Sequence, residues 1–403
     1  MLHRRSLSRT VAAAALIVTM AGACTPPPQP PPPLPAPYTG GVSPDLAPDA
    51  GLAAYTQPGP YAAGVTTVTI EPGRQAEVWY PAGPAGTIGQ PKDTYYIKNF
   101  LSPLLQFLLP ATVNPPFETD AYRGIPVSGD GPFPLVIFSH GAASFRLQST
   151  FLTTHLASWG FVVVSPDYFE RGLQSLLGEP PAPARPDTQV ATLAIDAVRA
   201  ISNGAGPAGT EALAGFAETN RVFAAGHSAG GGTSISLLSR PDVPLAIPMA
   251  TGVNPDSGSV PAVLSDTSKS IMWMAGQDDG VAALSRVTAG YDYTAGPDKL
   301  VVIPQAGHNN AFTDICEIAR PEGGIVTLAI NAGLPLPDLV IRLGRDGCVS
   351  PPAAVGPDLW PITRHFVTAE LRFAAGIDAQ PVGLGSAVVS QFSPAPATYL
   401  HRP

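Results

Sequence analysis

The segment Val222-Phe-Ala-Ala-Gly226-His227-Ser228-Ala229-Gly230 constrains the fold of this chain more than any other. A short unbroken apolar run, Val222–Gly226, leads into G-x-S-x-G, and helix-compatible residues follow the glycines. A serine on a sharp strand-to-helix turn sits in strained backbone, so its neighbours must lack side-chain bulk, and Gly226 and Gly230 meet that demand. The pattern predicts a nucleophile elbow with the Ser228 hydroxyl at the carboxyl end of a sheet. The N–H of Ala229, at the start of the next helix, faces a developing oxyanion with the positive end of the helix dipole.

The surrounding sequence has the alternation such an elbow requires. Leu135–Ser139, Phe161–Ser165, Leu245–Ala250, Ile271–Ala275 and Leu300–Pro304 are short runs dominated by apolar residues, as in strands buried on both faces of a parallel sheet. Gly64–Ile70 and Ala76–Tyr80 alternate and read as an antiparallel pair. Helical spacing of apolar residues predicts helices over Ser144–Trp159, Thr188–Ile201 (capped by Asp187) and Asp358–Ala375. Strands alternating with helices predict a doubly wound α/β fold, with a mostly parallel central sheet and helices on both faces. Three stretches, 84–130, 172–186 and 312–357, read as excursions from that core. The first contains Phe100–Pro110 (FLSPLLQFLLP), which could line an entrance; burial is the expectation.

A serine nucleophile needs a base, and the base needs an orienting acid. In folds of this kind the chain order is serine, acid, histidine. His308, His365 and His401 follow Ser228. His308 lies just past the strand Leu300–Pro304 and is the expected base; His365 falls inside the last helix and His401 near the C-terminus. After Ile271–Ala275 comes Gly276-Gln277-Asp278-Asp279, so Asp279 is the expected acid, with Asp278 its rival and Asp167 a lesser alternative. The second oxyanion N–H should come from the turn Ser139-His140-Gly141-Ala142-Ala143, with Ala142 as donor and Gly141 allowing close backbone approach. His140 and Phe145 should pack around that turn.

The first residues carry Arg4, Arg5 and Arg9 and no acid, followed by an apolar run from Val11 to Met20. That run is too short to span a bilayer but suits a signal peptide over 1–23. Ala21-Gly22-Ala23-Cys24 resembles a bacterial lipobox with Cys24 as the lipidated residue. Nine of the twelve residues 26–37 are Pro, giving residues 24–50 the character of an extended spacer and leaving 51–403 for the catalytic domain. The chain is therefore expected to be exported and held at the cell envelope by a lipid anchor. Cys316 and Cys348 are then an even pair, which in an exported protein reads as a disulfide. No metal-ligand spacing accompanies them, and neither a metal nor an organic cofactor is expected. The chain has 22 Lys+Arg against 30 Asp+Glu, so no basic excess exists to bind nucleic acid. With 45% hydrophobic and 13% charged residues, disorder throughout is excluded.

These motifs together resemble the α/β-hydrolases of the platelet-activating-factor acetylhydrolase, dienelactone hydrolase and cutinase-like polyester hydrolase kin. The resemblance runs from GPYAAGVTTVTI and VWYPA through PFPLVIFSHGAASFR and GHSAGG to AGHNNAF, about two-thirds of the chain. It implies Ser228 as nucleophile, Asp279 as acid, His308 as base and Ala142 as oxyanion donor. The expected activity is hydrolysis of lipid, polyester or small carboxylic esters through an acyl-enzyme. An acyltransferase with the same residues and a catalytically idle ligand-binding lipoprotein are the alternatives. The segments 84–130 and 312–357 depart from the family pattern close to the expected pocket.

Overall fold

Residues along each central strand alternate between two separate apolar layers, which explains the unbroken apolar runs. Val136 and Phe138 enter one layer and Leu135 and Ile137 the other; Phe223 and Ala225 oppose Val222 and Ala224 in the same way. The computed structural model describes residues 53–402 apart from 178–182, 258–259, 350–353 and 394. The expected signal peptide, Cys24 and the Pro-rich spacer lie outside the described residues.

In chain order, strands β1 (Ala62–Glu71) and β2 (Arg74–Ala82) form the expected antiparallel pair. The first excursion contributes the two-stranded ribbon β3 (Thr94–Tyr95) and β4 (Phe117–Glu118), helix α1 (Pro103–Leu108) and strand β5 (Ala121–Arg123). The wound core follows: β6 (Phe133–Ser139), α2 (Thr150–Ser158), β7 (Val162–Pro166), a short α3 (Leu173–Leu176), α4 (Asp187–Ser202), β8 (Ala217–His227), α5 (Ala229–Leu237), β9 (Leu245–Met249), β10 (Ser270–Gly276), α6 (Leu284–Tyr293) and β11 (Asp298–Ile303). Helices α7 (Ile325–Asn331) and α8 (Asp338–Arg345) belong to the later excursion, and α9 (Gly356–Ala375) and β12 (Thr398–Arg402) complete the chain.

Among the described residues the main sheet has ten strands, in the order β12-β11-β10-β9-β8-β6-β7-β2-β1-β5. The six strands from β11 to β7 run parallel, while β12, β2 and β1 join by antiparallel pairing. Helices α2 and α9 bury apolar residues in one layer, and α4, α5 and α6 in the other. Both faces are covered, as parallel strands require.

Two expectations need correction. The helix expected over Ser144–Trp159 forms only from Thr150. Its start is set by Asp314, whose carboxylate accepts hydrogen bonds from the Thr150 and Phe151 N–H groups. Residues 144–149 lie outside the helix, and Ser144, Phe145 and Gln148 among them line a cavity. The stretch Phe100–Pro110 is not simply buried. Phe100 and Leu101 are, but Leu104 is 66% and Phe107 85% exposed, while Leu105 and Leu109 line a cavity. Pro103 starts a helix that ends at Leu108, just before Leu109 and Pro110, and a single short helix at the surface cannot bury apolar residues on every side.

Candidate active site

The turn between β8 and α5 has the tightness its glycines imply. Ser228 sits there with φ 55° and ψ −122°, a backbone conformation costly for a residue with a Cβ. A Cβ on Gly226 would lie 2.2 Å from the Gly230 carbonyl oxygen, and one on Gly230 would lie 1.9 Å from that of Ser139. Both contacts are with backbone, so neither position admits a larger residue. The Ser228 N–H donates to the Met249 carbonyl at 2.8 Å, fixing the turn to the end of β9.

His308 follows β11, and Asp279 follows β10. The two strands are parallel neighbours, which brings their C-terminal loops side by side. Nδ1 of His308 lies 2.9 Å from Oδ2 of Asp279, and both side chains are buried. A carboxylate only accepts, so the proton of this bond rests on Nδ1 and leaves Nε2 with its lone pair. The other oxygen of Asp279 accepts from the Val281 and Ala282 N–H groups at 2.8 and 2.7 Å. Asp278, the rival, is exposed, and Asp167 pairs instead with Arg146 at 2.7 Å. His365 is buried in α9, where its Nδ1 accepts from the Tyr55 N–H, and His401 lies on β12.

Ser228, His308 and Ala142 line one cavity of about 250 Å³. No hydrogen bond joins Ser228 to His308 among the described residues; such contacts commonly tighten only around substrate. The N–H groups next to Ala142 are occupied: Gly141 donates to Gln148 Oε1 at 2.7 Å and Ala143 to the Arg171 carbonyl at 2.8 Å. Those of Ala142 and Ala229 have no acceptor among the described residues. Two free donors therefore flank the serine, an arrangement able to hold a developing oxyanion. The left-handed residue of this loop is Ala143, at φ 58°. Gly141 lets the loop close on the elbow, since a Cβ there would lie 3.1 Å from His227 Nδ1.

His140 and Phe145 pack around the turn as expected. His140 donates from Nδ1 to the Gly141 carbonyl at 2.8 Å and accepts from the Tyr168 N–H at 3.1 Å. Burial drives its pKa down to about 3, so it stays neutral and structural. Three supports have no signature in the sequence. Arg171 donates to the His140 carbonyl at 2.8 Å and lies 4.0 Å above the Tyr168 ring, its charge met by Asp187. Gln148 bridges Gly141 and His227. Asp346, from the later excursion, accepts the His308 N–H at 2.6 Å and the Gly280 N–H at 3.1 Å, so one carboxylate ties the acid and histidine loops together. Two residues beyond it, Cys348 is disulfide-bonded to Cys316. Among the described residues no three His, Cys, Asp or Glu side chains gather as a metal site.

The fold has known counterparts. Residues 58–172 match the family described as platelet-activating factor acetylhydrolase, isoform II. A ferulic acid esterase from Streptomyces cinnamoneus has a similar structure, with a TM-score of 0.50 and 19% identity over 78% of this chain and 89% of that one. The chain has the α/β-hydrolase fold, and its residues 58–172 are similar to the acetylhydrolase family. No curated protein matches it in sequence. The family match covers the Ala142 loop but ends at Gly172, before Ser228, Asp279 and His308. The reading of those three residues rests on their geometry.

Proposed function

We propose that this α/β-hydrolase cleaves carboxylic esters with Ser228 as nucleophile, His308 as general base and Asp279 as orienting acid. Nε2 of His308 takes the Ser228 proton as Oγ adds to the ester carbonyl carbon. The carbonyl oxygen, now negative, accepts from the N–H groups of Ala142 and Ala229. Collapse of the adduct breaks the C–O bond to the alcohol, which leaves with the proton from His308. Water then adds to the acyl-enzyme, gives its proton to His308, and the acid departs as that proton returns to Ser228. Asp279 holds the imidazole in the required tautomer and stabilises the imidazolium.

The observation that carries this reading is the 2.9 Å contact of Asp279 with His308, in a cavity that His308 shares with the strained Ser228. Ser228→Ala should lower kcat on a simple ester by about 10⁶ while the circular dichroism spectrum is unchanged. Near-wild-type hydrolysis by that variant would overturn the assignment.

Export and anchoring through a lipidated Cys24 belong to the same proposal, supported by the cationic, apolar and small-residue succession of residues 1–24. Metabolic labelling with a radioactive fatty acid should mark the wild-type chain and not Cys24→Ala. Equal labelling of both would remove the anchor from the account.

A further inference from the structure

The cavity beside Ser228 is polar at one end and aliphatic over the rest. Its polar groups, among them Ser144, Gln148, His227 and Asn309, gather around the serine and His308. Beyond them one wall comes from the first excursion, through Leu101, Leu105 and Leu109. The facing wall comes from the later one, through Val326 and Ala329 of α7 and Val340 and Leu343 of α8. Among the described lining residues there is no Asp, Glu, Lys or Arg, and the one phenyl ring, Phe145, adjoins the oxyanion turn, the other rings being the imidazoles of His227 and His308. A sugar or charged group placed between these walls would lose its water without gaining hydrogen bonds. Between the aliphatic walls an aromatic acid would find no ring to stack on, since Phe145, His227 and His308 all lie at the serine end. A flexible alkyl chain loses nothing polar. Leu108 lines the cavity and is also 62% exposed, so α1 marks its mouth. The facing wall is held in place by the Cys316–Cys348 disulfide and by the bonds of Asp346.

We infer that the two insertions form an acyl-chain site and that the preferred substrates are esters of medium- to long-chain aliphatic acids. The inference rests on the proposed role of Ser228 and goes beyond it to the substrate. The acyl half stays on Ser228 while the alcohol must leave and admit water, so the enclosed apolar space suits the half that stays.

The test is kcat/KM across p-nitrophenyl acetate, butyrate, hexanoate and octanoate at monomeric concentrations, with a matched series of alkyl acetates. Each added acyl methylene should raise kcat/KM by up to about fourfold, the factor equivalent to about 0.8 kcal/mol per buried CH2. Partial burial still leaves the octanoate-to-acetate ratio above about a hundredfold. The alkyl acetate series should stay nearly flat. Ala329→Phe, which fills the far wall, should lower the octanoate-to-acetate ratio at least about tenfold, within the discrimination a pocket of this kind supplies. Should that variant fail to fold, Leu109→Ala widens the opposite wall and should move the preferred chain to greater length. A flat or falling acyl series, a rise along the alkoxy series instead, or ratios unmoved in every folded variant would overturn the inference. None of those outcomes touches the role of Ser228, which fails only if Ser228→Ala keeps its activity.

Discussion

Nε2 of Gln148 donates to Nδ1 of His227 at 2.6 Å, while Oε1 of the same amide accepts the Gly141 N–H at 2.7 Å. His227 passes the link on, donating from Nε2 to the His308 carbonyl at 2.8 Å. One buried amide and one imidazole thus tie the oxyanion turn, the serine elbow and the histidine loop together. Burial, reinforced by the neighbouring His308, holds the His227 pKa well below its ordinary value, so the ring stays neutral and keeps its acceptor at Nδ1. Gln148→Leu removes both bonds and leaves two buried polar groups unpaired, at a cost of about 1–3 kcal/mol each. Steady-state kinetics of that variant should show kcat reduced on the order of tenfold to a hundredfold, through misplacement of the reacting groups. An unchanged kcat in a folded variant would remove Gln148 from the positioning of the site.

Asp346 acts from farther away in the chain. A Cβ on Gly307 would lie 2.7 Å from its Oδ1 and one on Gly280 2.5 Å from its Oδ2, so both glycines make room for this carboxylate. In Asp346→Asn, an amide that donates replaces one oxygen that accepts from backbone N–H, and two donors are set against each other. The expected outcome is a kcat lower by about tenfold to a hundredfold with little change in KM, since the residue acts only through His308 and Asp279. Asp279→Asn, which disturbs the tautomer itself, should cost far more, on the order of 10⁴. If the two variants lose equal activity, Asp346 does more than position its neighbours.

The division between what the sequence revealed and what it hid follows from how each residue acts. Ser228 was legible because the strained elbow demands Gly226 and Gly230 beside it. His308 and Asp279 were legible because each follows a buried strand, and parallel strands bring such ends together. Gln148, Arg171 and Asp346 were not, because Arg171 and Asp346 bind backbone groups of turns distant in sequence, Gln148 reaches the ring of His227 79 residues away, and none of them needs a neighbour of a particular type. The start of α2 was misplaced for the same reason: the periodicity of Phe145 to Trp159 reads as helix, while the cap at Thr150 comes from Asp314, 164 residues on. Strand β12 escaped notice because Tyr399-Leu400-His401 gives no strong pattern before it pairs with β11.

The Cys316–Cys348 bond, which spans 32 residues, closes the excursion that contains Asp346, α7 and α8. In the chain-entropy account a loop of that length contributes about 3–4 kcal/mol. Cys348→Ser, or the wild-type protein under reductant, should therefore unfold at a lower urea concentration, with the midpoint shifted by that energy divided by the urea slope. Equal midpoints with and without reductant would show that the bond carries no stability.

His155 offers a separate test of the buried core. It lies on α2, and neither ring nitrogen has a hydrogen-bond partner among the described residues. Burial, aided by the charge of Arg364, lowers its pKa to about 3. The folded state therefore holds a neutral ring where the unfolded chain, with a pKa of about 6.5, takes up a proton. The sign follows directly: the stability this residue allows is complete above about pH 6.5 and is lost as pH falls toward 3, at up to about 1.4 kcal/mol per unit. Between pH 7 and pH 5 the loss is about 2 kcal/mol. Asp298 and Asp314, whose pKa values burial raises to about 8 and about 7, work in the opposite sense, binding a proton in the fold and costing stability as pH rises toward those values. The whole-protein curve therefore mixes both signs, and the difference between His155→Leu and wild type isolates the histidine. Urea unfolding at pH 7 and pH 5 should show the variant losing about 2 kcal/mol less than wild type on acidification. Parallel losses in the two proteins would mean that His155 is protonated within the fold.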